Sequence, residues 1–336
     1  MLTAGLRPAD PLTKDSRLKL RLLPILLTAA LALPVNAVNP PKKLATTPAA
    51  DEARRPLLWQ VSDADNTVYL LGSFHLLKAD DYPMPAEIDR AFNDAESLLF
   101  EIDPREMTAP ETMLTVRKYM AFDAGKSLRT ALPKSTLDKL GKAVAAGGGS
   151  LQAMEQSEPW AISLGLVLGM TQTMGFKAEL GLDQHLMARA SKAGKPAAGL
   201  ETIDDQMRAM DAVPHAEQAR GLDEFLSDPA QAATQMQDMH RWWRAGDVAS
   251  LDTMMRVQMA EKTPHSYKLL NKERNNTWMP LLEKRLTGST SDDTLVVVGS
   301  LHLLGADGVV EKLRAKGYKV VRVCDSCSDK AYAPGR

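Results

Sequence analysis

Tyr69-Leu70-Leu71-Gly72-Ser73-Phe74-His75-Leu76-Leu77-Lys78-Ala79-Asp80 and Val296-Val297-Val298-Gly299-Ser300-Leu301-His302-Leu303-Leu304-Gly305-Ala306-Asp307 are one phrase written twice. Each copy is an apolar run that suits a buried strand, then Gly-Ser-x-His-Leu-Leu, then Ala-Asp. A helical pattern and a second apolar run follow each copy. After the first, Pro85 opens a helix with Ile88, Ala91, Phe92 and Ala95 on one stripe, and Leu98-Leu99-Phe100-Glu101-Ile102 is a strand that Asp103-Pro104 ends. After the second, a helix over Asp307 to Lys316 leads into a strand over Tyr318 to Val323. Strand, helix, strand is half or all of a βαβ crossover, which implies parallel pairing. Upstream, Leu57-Leu58-Trp59-Gln60-Val61 and Thr67 to Leu71 flank the turn-forming Asp63-Ala64-Asp65-Asn66 and read as a hairpin.

Between the two units, from about Pro110 to Gly288, the pattern is almost entirely helical. Gly147-Gly148-Gly149 interrupts it, and one strand is expected at Pro196 to Glu201, between a helix over Gly181 to Ala193 and another that Thr202 caps. The apolar helix from Trp160 to Met174 is short and carries Gln172, which favours a buried core helix over a membrane span. The methionines at 236, 239, 254, 255 and 259 suit core filling. The predicted fold class is therefore α/β: a central mixed sheet built from N- and C-terminal βαβ-like units, with a large helical insertion over about 110–288.

The chain has 336 residues, and 41 Lys plus Arg against 42 Asp plus Glu leave a net charge of −1. That balance gives no electrostatic basis for nucleic-acid binding. Arg17, Lys19 and Arg21 precede an apolar stretch from Leu22 to Val35, which ends in Val35-Asn36-Ala37. A basic flank, an apolar segment and a small-residue cleavage site predict a signal peptide over 1–37 and a periplasmic or secreted protein. Pro24 and Pro34 interrupt the stretch, so no stable membrane span is expected after cleavage. Residues 38–56 have the composition of a flexible leader, 57–325 form the folded domain, and 326–336 a loose tail. Cys324 and Cys327, the two cysteines, follow the last strand and are expected to close a local disulfide; a redox pair would open a helix.

Chemistry is expected beyond the carboxyl ends of the strands, where open α/β sheets bind ligands. His75 and His302 stand there in matching contexts, each three residues after a glycine that allows a tight turn and close approach. Histidine at such a place can ligate a metal or move protons near neutral pH. Glu101 ends an otherwise apolar strand, where a charge is costly unless paired or used. Glu201 ends another, although a helix start alone would accommodate its charge. In a helix from about Ser266 to Leu286, Leu270, Arg274, Trp278, Leu281 and Leu282 share a face, so Arg274 points inward and needs an anionic partner. Asn275 lies beside it. His185, His215, His240 and His265 suit surface or packing roles. The chain carries no P-loop, dinucleotide fingerprint, His-Glu-x-x-His or Gly-x-Ser-x-Gly.

From Trp59 to Val323 these motifs resemble the TraB/GumN family, which includes the TIKI metalloproteases. The likeness rests on Tyr-Leu-Leu-Gly-Ser-Phe-His at 69–75, Phe-Glu-Ile-Asp at 100–103, Gly-Leu-Asp at 181–183 and Gly-Lys-Pro with Gly-Leu-Glu-Thr at 194–202. Arg-Asn at 274–275 and Val-Gly-Ser-Leu-His-Leu-Leu-Gly at 298–305 complete it. The resemblance implies a fold similar to erythromycin esterases and haem-binding ChaN-like proteins, and metal-dependent peptide cleavage associated with manganese or cobalt. The expectation that follows is an exported, metal-dependent hydrolase acting on a peptide or small-molecule substrate. His75, His302 and at least one of Glu101 and Glu201 would bind a divalent ion (Mn, Co or Zn), with the other glutamate as general base, Arg274 stabilising the oxyanion and Asn275 beside it. Two rivals are a metal-independent esterase using His75 and Glu101, and a non-catalytic haem- or metal-binding envelope protein. The first copy leads to Glu101 and the second to no carboxylate, so the site is expected to be lopsided, with His75 nearer the chemistry.

Overall fold

A computed structural model of the chain describes residues 54–63, 65–288 and 291–327. The signal-peptide reading over 1–37, the leader as far as residue 53 and the tail beyond 327 lie outside the described residues. Six strands form one sheet: β1 (Leu58–Ser62), β2 (Thr67–Ser73), β3 (Ser97–Ile102), β4 (Ala197–Glu201), β5 (Thr294–Gly299) and β6 (Lys319–Arg322). Their spatial order is β4-β3-β5-β2-β1-β6. The sheet is mixed. β1 runs antiparallel to both neighbours, whereas β2, β5, β3 and β4 pair in parallel. The fold class is the α/β arrangement expected from the sequence, with the sheet drawn from both ends of the chain.

The repeated phrase explains the centre of the sheet. β2 and β5 are its two copies, and they lie side by side with Gly72 opposite Val298 and Ser73 opposite Gly299. The expected parallel relation of β2 and β3 holds, but β5 sits between them. From β2 the chain crosses β5 to reach β3, and from β5 it crosses β2 and β1 to reach β6. Adjacent strands whose connections depart in opposite directions open a crevice at their carboxyl ends. β5 is buried along its whole length, as a central parallel strand must be when both faces are covered.

The insertion is helical as expected and contributes β4 at the sheet edge. The apolar helix is Pro159–Thr173, and no described helix is long and apolar enough to cross a membrane. The inward stripe over Glu273–Leu286 is Arg274, Asn275, Trp278, Met279, Leu282 and Leu286. Leu281, expected on that face, is 43% exposed instead. At about 100° per residue the stripe is centred between Trp278 and Leu282, and Leu281 falls just past its edge. The segment leading into this helix is a π-helical turn, Lys268–Lys272. Two further details extend the sequence reading. Arg54 already donates to the carbonyls of Asp80, Asp81 and Pro83, so the fold engages the chain before Leu57. Cys324 and Cys327 are bonded to each other.

Candidate active site

Strand ends and one helix deliver the polar residues to a single place. Glu101 is the penultimate residue of β3, Glu201 the last of β4 and Gly299 the last of β5. His75 lies two residues beyond β2, and His302 sits in a short 3-10 turn, Ser300–Leu303, directly after β5. Arg274 and Asn275 reach in from the first turn of Glu273–Leu286. The two copies of the phrase also brace each other, because the Ser300 hydroxyl donates to the carbonyl of Ser73 at 2.9 Å.

Glu101 is the meeting point. Its Oε1 lies 3.8 Å from His75 Nε2 and 3.9 Å from His302 Nε2, so the two repeated histidines converge on one carboxylate oxygen. The same oxygen accepts the Gly299 backbone N–H at 2.7 Å. Oε2 accepts from Arg274 Nη2 at 2.7 Å and from Gln206 Nε2 at 3.3 Å. Burial works against a charge here, but Arg274, with His75 and the Gly299 N–H, outweighs it, and the carboxyl is pulled down to about 2. Glu101 is therefore ionised throughout the neutral range.

Arg274 is fully committed. Nε and Nη2 bind the Glu201 carboxylate at 2.9 and 2.5 Å, and Nη2 also reaches Glu101. Nη1 donates to the Leu270 carbonyl and faces His302 Nε2, both at 3.1 Å. Five N–H groups have found acceptors, which leaves none for a developing oxyanion. Glu201 is equally occupied: it also accepts the Trp278 indole N–H at 3.1 Å. Burial pushes the Glu201 carboxyl up, with the guanidinium pulling against it.

His302 and His75 differ sharply. His302 is fully buried, and its Nδ1 lies 2.7 Å from Asn275 Oδ1. Asn275 Nδ2 donates to the Asp307 carbonyl at 2.8 Å, which fixes the amide with its oxygen toward the imidazole. Nδ1 therefore carries the proton, and Nε2 offers its lone pair to Arg274. Burial and Arg274 push this imidazole down to about 3, so it is neutral. His75 instead holds Asp183 Oδ1 at 3.1 Å with Nδ1, and Ser73 Oγ donates to the same oxygen at 2.9 Å. Its Nε2 is buried with no hydrogen-bond partner. Burial opposes a charge on His75, yet Asp183 and Glu101 prevail and push it up to about 9.

Gly299 completes the space between these groups. A Cβ there would lie 3.0 Å from His75 Nε2 and 3.2 Å from Glu101 Oε1. His75 Nε2 and Glu101 Oε1 can approach each other this closely over the strand end because it is glycine. Asp183 and Gln206 were given no role by the sequence reading. Asp183 opens the helix Leu182–Ala193, where the dipole accounts for an acid, and Gln206 lies within Ile203–Asp211. The signal in the sequence was the Gly-Leu-Asp motif at 181–183; in the fold a Cβ on Gly181 would meet the His75 carbonyl at 2.4 Å, so the helix start passes directly over the first phrase.

The expected metal donors match in type but not in arrangement. His302 Nε2 and the Glu201 oxygens are engaged by Arg274, which leaves His75 Nε2 without a hydrogen-bond partner beside Glu101 Oε1, whose own partner is the Gly299 N–H. Among the described residues no group of three His, Cys, Asp or Glu side chains is placed to hold a metal ion. The other histidines lie elsewhere. His240 is buried against Asp81 at 2.9 Å, His215 meets Glu158 at 2.9 Å, His265 meets Glu217 at 2.8 Å, and the His185 ring packs on Tyr82.

Comparison with known proteins follows the same boundaries. The uncharacterised protein YbaP of Escherichia coli (strain K12) is 25% identical over 246 residues, covering 73% of this chain and 87% of that relative. YbaP of Shigella flexneri matches to the same extent. No solved structure matches this chain. The model of the TraB/PrgY/gumN family matches residues 57–322, from just before β1 to the last residue of β6, and the chain belongs to that family.

Proposed function

We propose that this chain is an exported hydrolase of peptide or ester bonds, with His75 as its proton-handling group. The observation that carries the reading is the buried, unpartnered Nε2 of His75, facing Glu101 Oε1 across the side-chain-free Gly299. A structural histidine would be expected to satisfy both ring nitrogens. Asp183 holds Nδ1 and so aims Nε2 into that space, the orienting role that a carboxylate plays behind a catalytic imidazole. With its pKa raised, His75 carries a proton on Nε2 at neutral pH and can stabilise an oxyanion or pass the proton to a leaving group. Glu101, ionised on the opposite wall, accepts a hydrogen bond from the attacking water and orients it. Arg274 and the Gly299 N–H hold that carboxylate in place. Export is supported by the basic and apolar N-terminal pattern and by the bonded Cys324–Cys327 pair, which suits an oxidising compartment.

The test is hydrolysis of a panel of aromatic esters and fluorogenic peptides by the purified protein, with Mn²⁺, without it, and after chelation. His75→Gln is expected to lower turnover by about 100-fold or more while the far-ultraviolet circular dichroism is retained. Hydrolysis indifferent to His75→Gln, or no hydrolysis of either class, overturns the proposal. Activity that survives chelation assigns water activation to protein groups alone; activity lost on chelation and restored by Mn²⁺ assigns it to a bound ion.

A further inference from the structure

The two edges of the sheet are guarded differently. β6, at one edge, is four residues long, begins with the exposed Lys319 and leads into the Cys324–Cys327 loop. A short strand and a basic side chain are devices that keep an edge from pairing with another chain. β4, at the other edge, is Ala197-Ala198-Gly199-Leu200-Glu201, with no basic residue, and its first three residues are half-buried. Its ladder to β3 fixes which backbone groups face outward. The Leu98 N–H donates to the Pro196 carbonyl at 2.9 Å, and Leu98 lies opposite Ala197. In that register the main-chain groups of Ala198 and Leu200 turn toward β3, and those of Ala197 and Gly199 turn away. Among the described residues nothing pairs with them on that side. Donors and acceptors spaced as in a strand, with only small side chains beside them, match an extended backbone and ask little of its sequence.

We propose that the outer edge of β4 takes up an extended polypeptide as a seventh strand and leads it to the candidate site. The edge runs there directly: β4 ends in Glu201, and β3 beside it carries Glu101. The inference rests on the hydrolase reading and narrows it, since a small ester has no backbone to pair. Strands lie about 4.8 Å apart, so an added strand is roughly 10 Å from β3, a span of about three extended residues. The bond presented to His75 and Glu101 therefore lies about three residues beyond the paired segment. With the five residues of β4 paired, cleavage calls for peptides of about eight residues or more.

The experiment is fluorescence anisotropy of a labelled octapeptide of alternating Thr and Val, titrated with the whole protein. An added strand pairs through every second residue, so N-methylating one alternating set of amides should weaken binding by about tenfold or more, and methylating the other set should leave it unchanged. Ala197→Pro removes one outward N–H and keeps the bonds to β3, a placement that edge strands tolerate, and should also weaken binding about tenfold. The methylated peptides need only wild-type protein, so the test stands if Ala197→Pro does not fold. No binding at about millimolar peptide, or equal loss with either methylated set, overturns the proposal. A wild-type dimer that Ala197→Pro disperses also overturns it, because the edge then belongs to a second copy of the chain. Alternating loss without hydrolysis in the ester and peptide panel leaves the edge standing and removes the hydrolase.

Discussion

Gly299 shows how one missing side chain makes a site. Its φ is −53°, a conformation open to any residue, so the requirement for glycine is one of space and not of backbone geometry. Gly299→Ala should leave β5 in place and press a methyl group between His75 and Glu101. We expect turnover to fall by about 100-fold, the scale on which small misplacements act. The melting temperature should shift by only a few degrees. A variant with full activity would show that the space over Gly299 is not where reaction occurs. Asn275 makes the opposite case, since it acts through bonds to the buried His302 and the half-buried Asp307. Asn275→Leu strands His302 Nδ1–H and the Asp307 carbonyl, and should cost about 1–3 kcal/mol per orphaned group in urea denaturation. At this scale the sequence was legible wherever a residue broke its surroundings: Glu101 among apolar neighbours, Arg274 on an apolar stripe, two histidines after matching glycines. Asp183 broke nothing. An acid in the first turn of a helix is explained locally, and only the folded chain reveals that it orients His75.

The first copy is fastened to the helical insertion by the acid just past its end, and the second by the acid at its end. In the first, Asp81 is 1% exposed and binds both His240 Nε2 and Arg244 Nη1 at 2.9 Å, on the helix Pro229–Ala245. Trp243 of that helix donates its indole N–H to the Gly72 carbonyl at 3.0 Å. In the second, Asp307 accepts the Tyr267 hydroxyl at 2.9 Å. The insertion is therefore the clamp that fixes the loops bearing His75 and His302. The sequence showed its helices by their periodicity, but not which helix grips which loop, because periodicity marks the buried face and not its partner. The Asp81 clamp predicts a pH dependence. Burial works against its charge, yet His240, the Lys78 N–H and Arg244 prevail and hold the carboxyl below its ordinary value. A carboxyl depressed in the folded state adds stability that is complete above its unfolded value of about 4 and is lost as pH falls through the lower folded value. Asp81→Asn should be less stable at pH 7 by about 3–5 kcal/mol, the cost of breaking a buried pair. It should also show a flatter loss of stability below pH 4. Denaturant midpoints at pH 7 and across pH 2–5 check both limbs, and parallel acid limbs for variant and wild type would remove Asp81 from the account.

For the molecule as a whole, the local units were legible and their arrangement was not. Hairpin, helix and strand follow from alternation, turn residues and apolar runs within short windows. Strand order depends on pairings far apart in sequence: the Thr67 N–H meets the Asp293 carboxylate across 226 residues. Local patterns therefore show two βαβ-like units one after the other, whereas in the sheet each unit's connection passes over the other's first strand. The interleaving makes the fold an all-or-none assembly. β5 is the shared neighbour of β2 and β3, and β6 covers the outer edge of β1. Without the last two strands, β2 and β3 lose their common partner, and Glu101 loses the Gly299 N–H and His302 together. A chain ending after Gly288 keeps the helices of the insertion and four of the six strands. It should nonetheless retain helical circular dichroism without a sharp thermal transition, because local helices survive the loss of the sheet while its core does not. The full chain should melt in one cooperative step. A truncated chain that melts sharply within about 5 °C of the full one, near the shift that 1–2 kcal/mol produces at this size, would mean that the insertion folds as an independent unit. The two ends would then merely dock on it, and the converging histidines would be a late contact instead of the centre around which the fold closes.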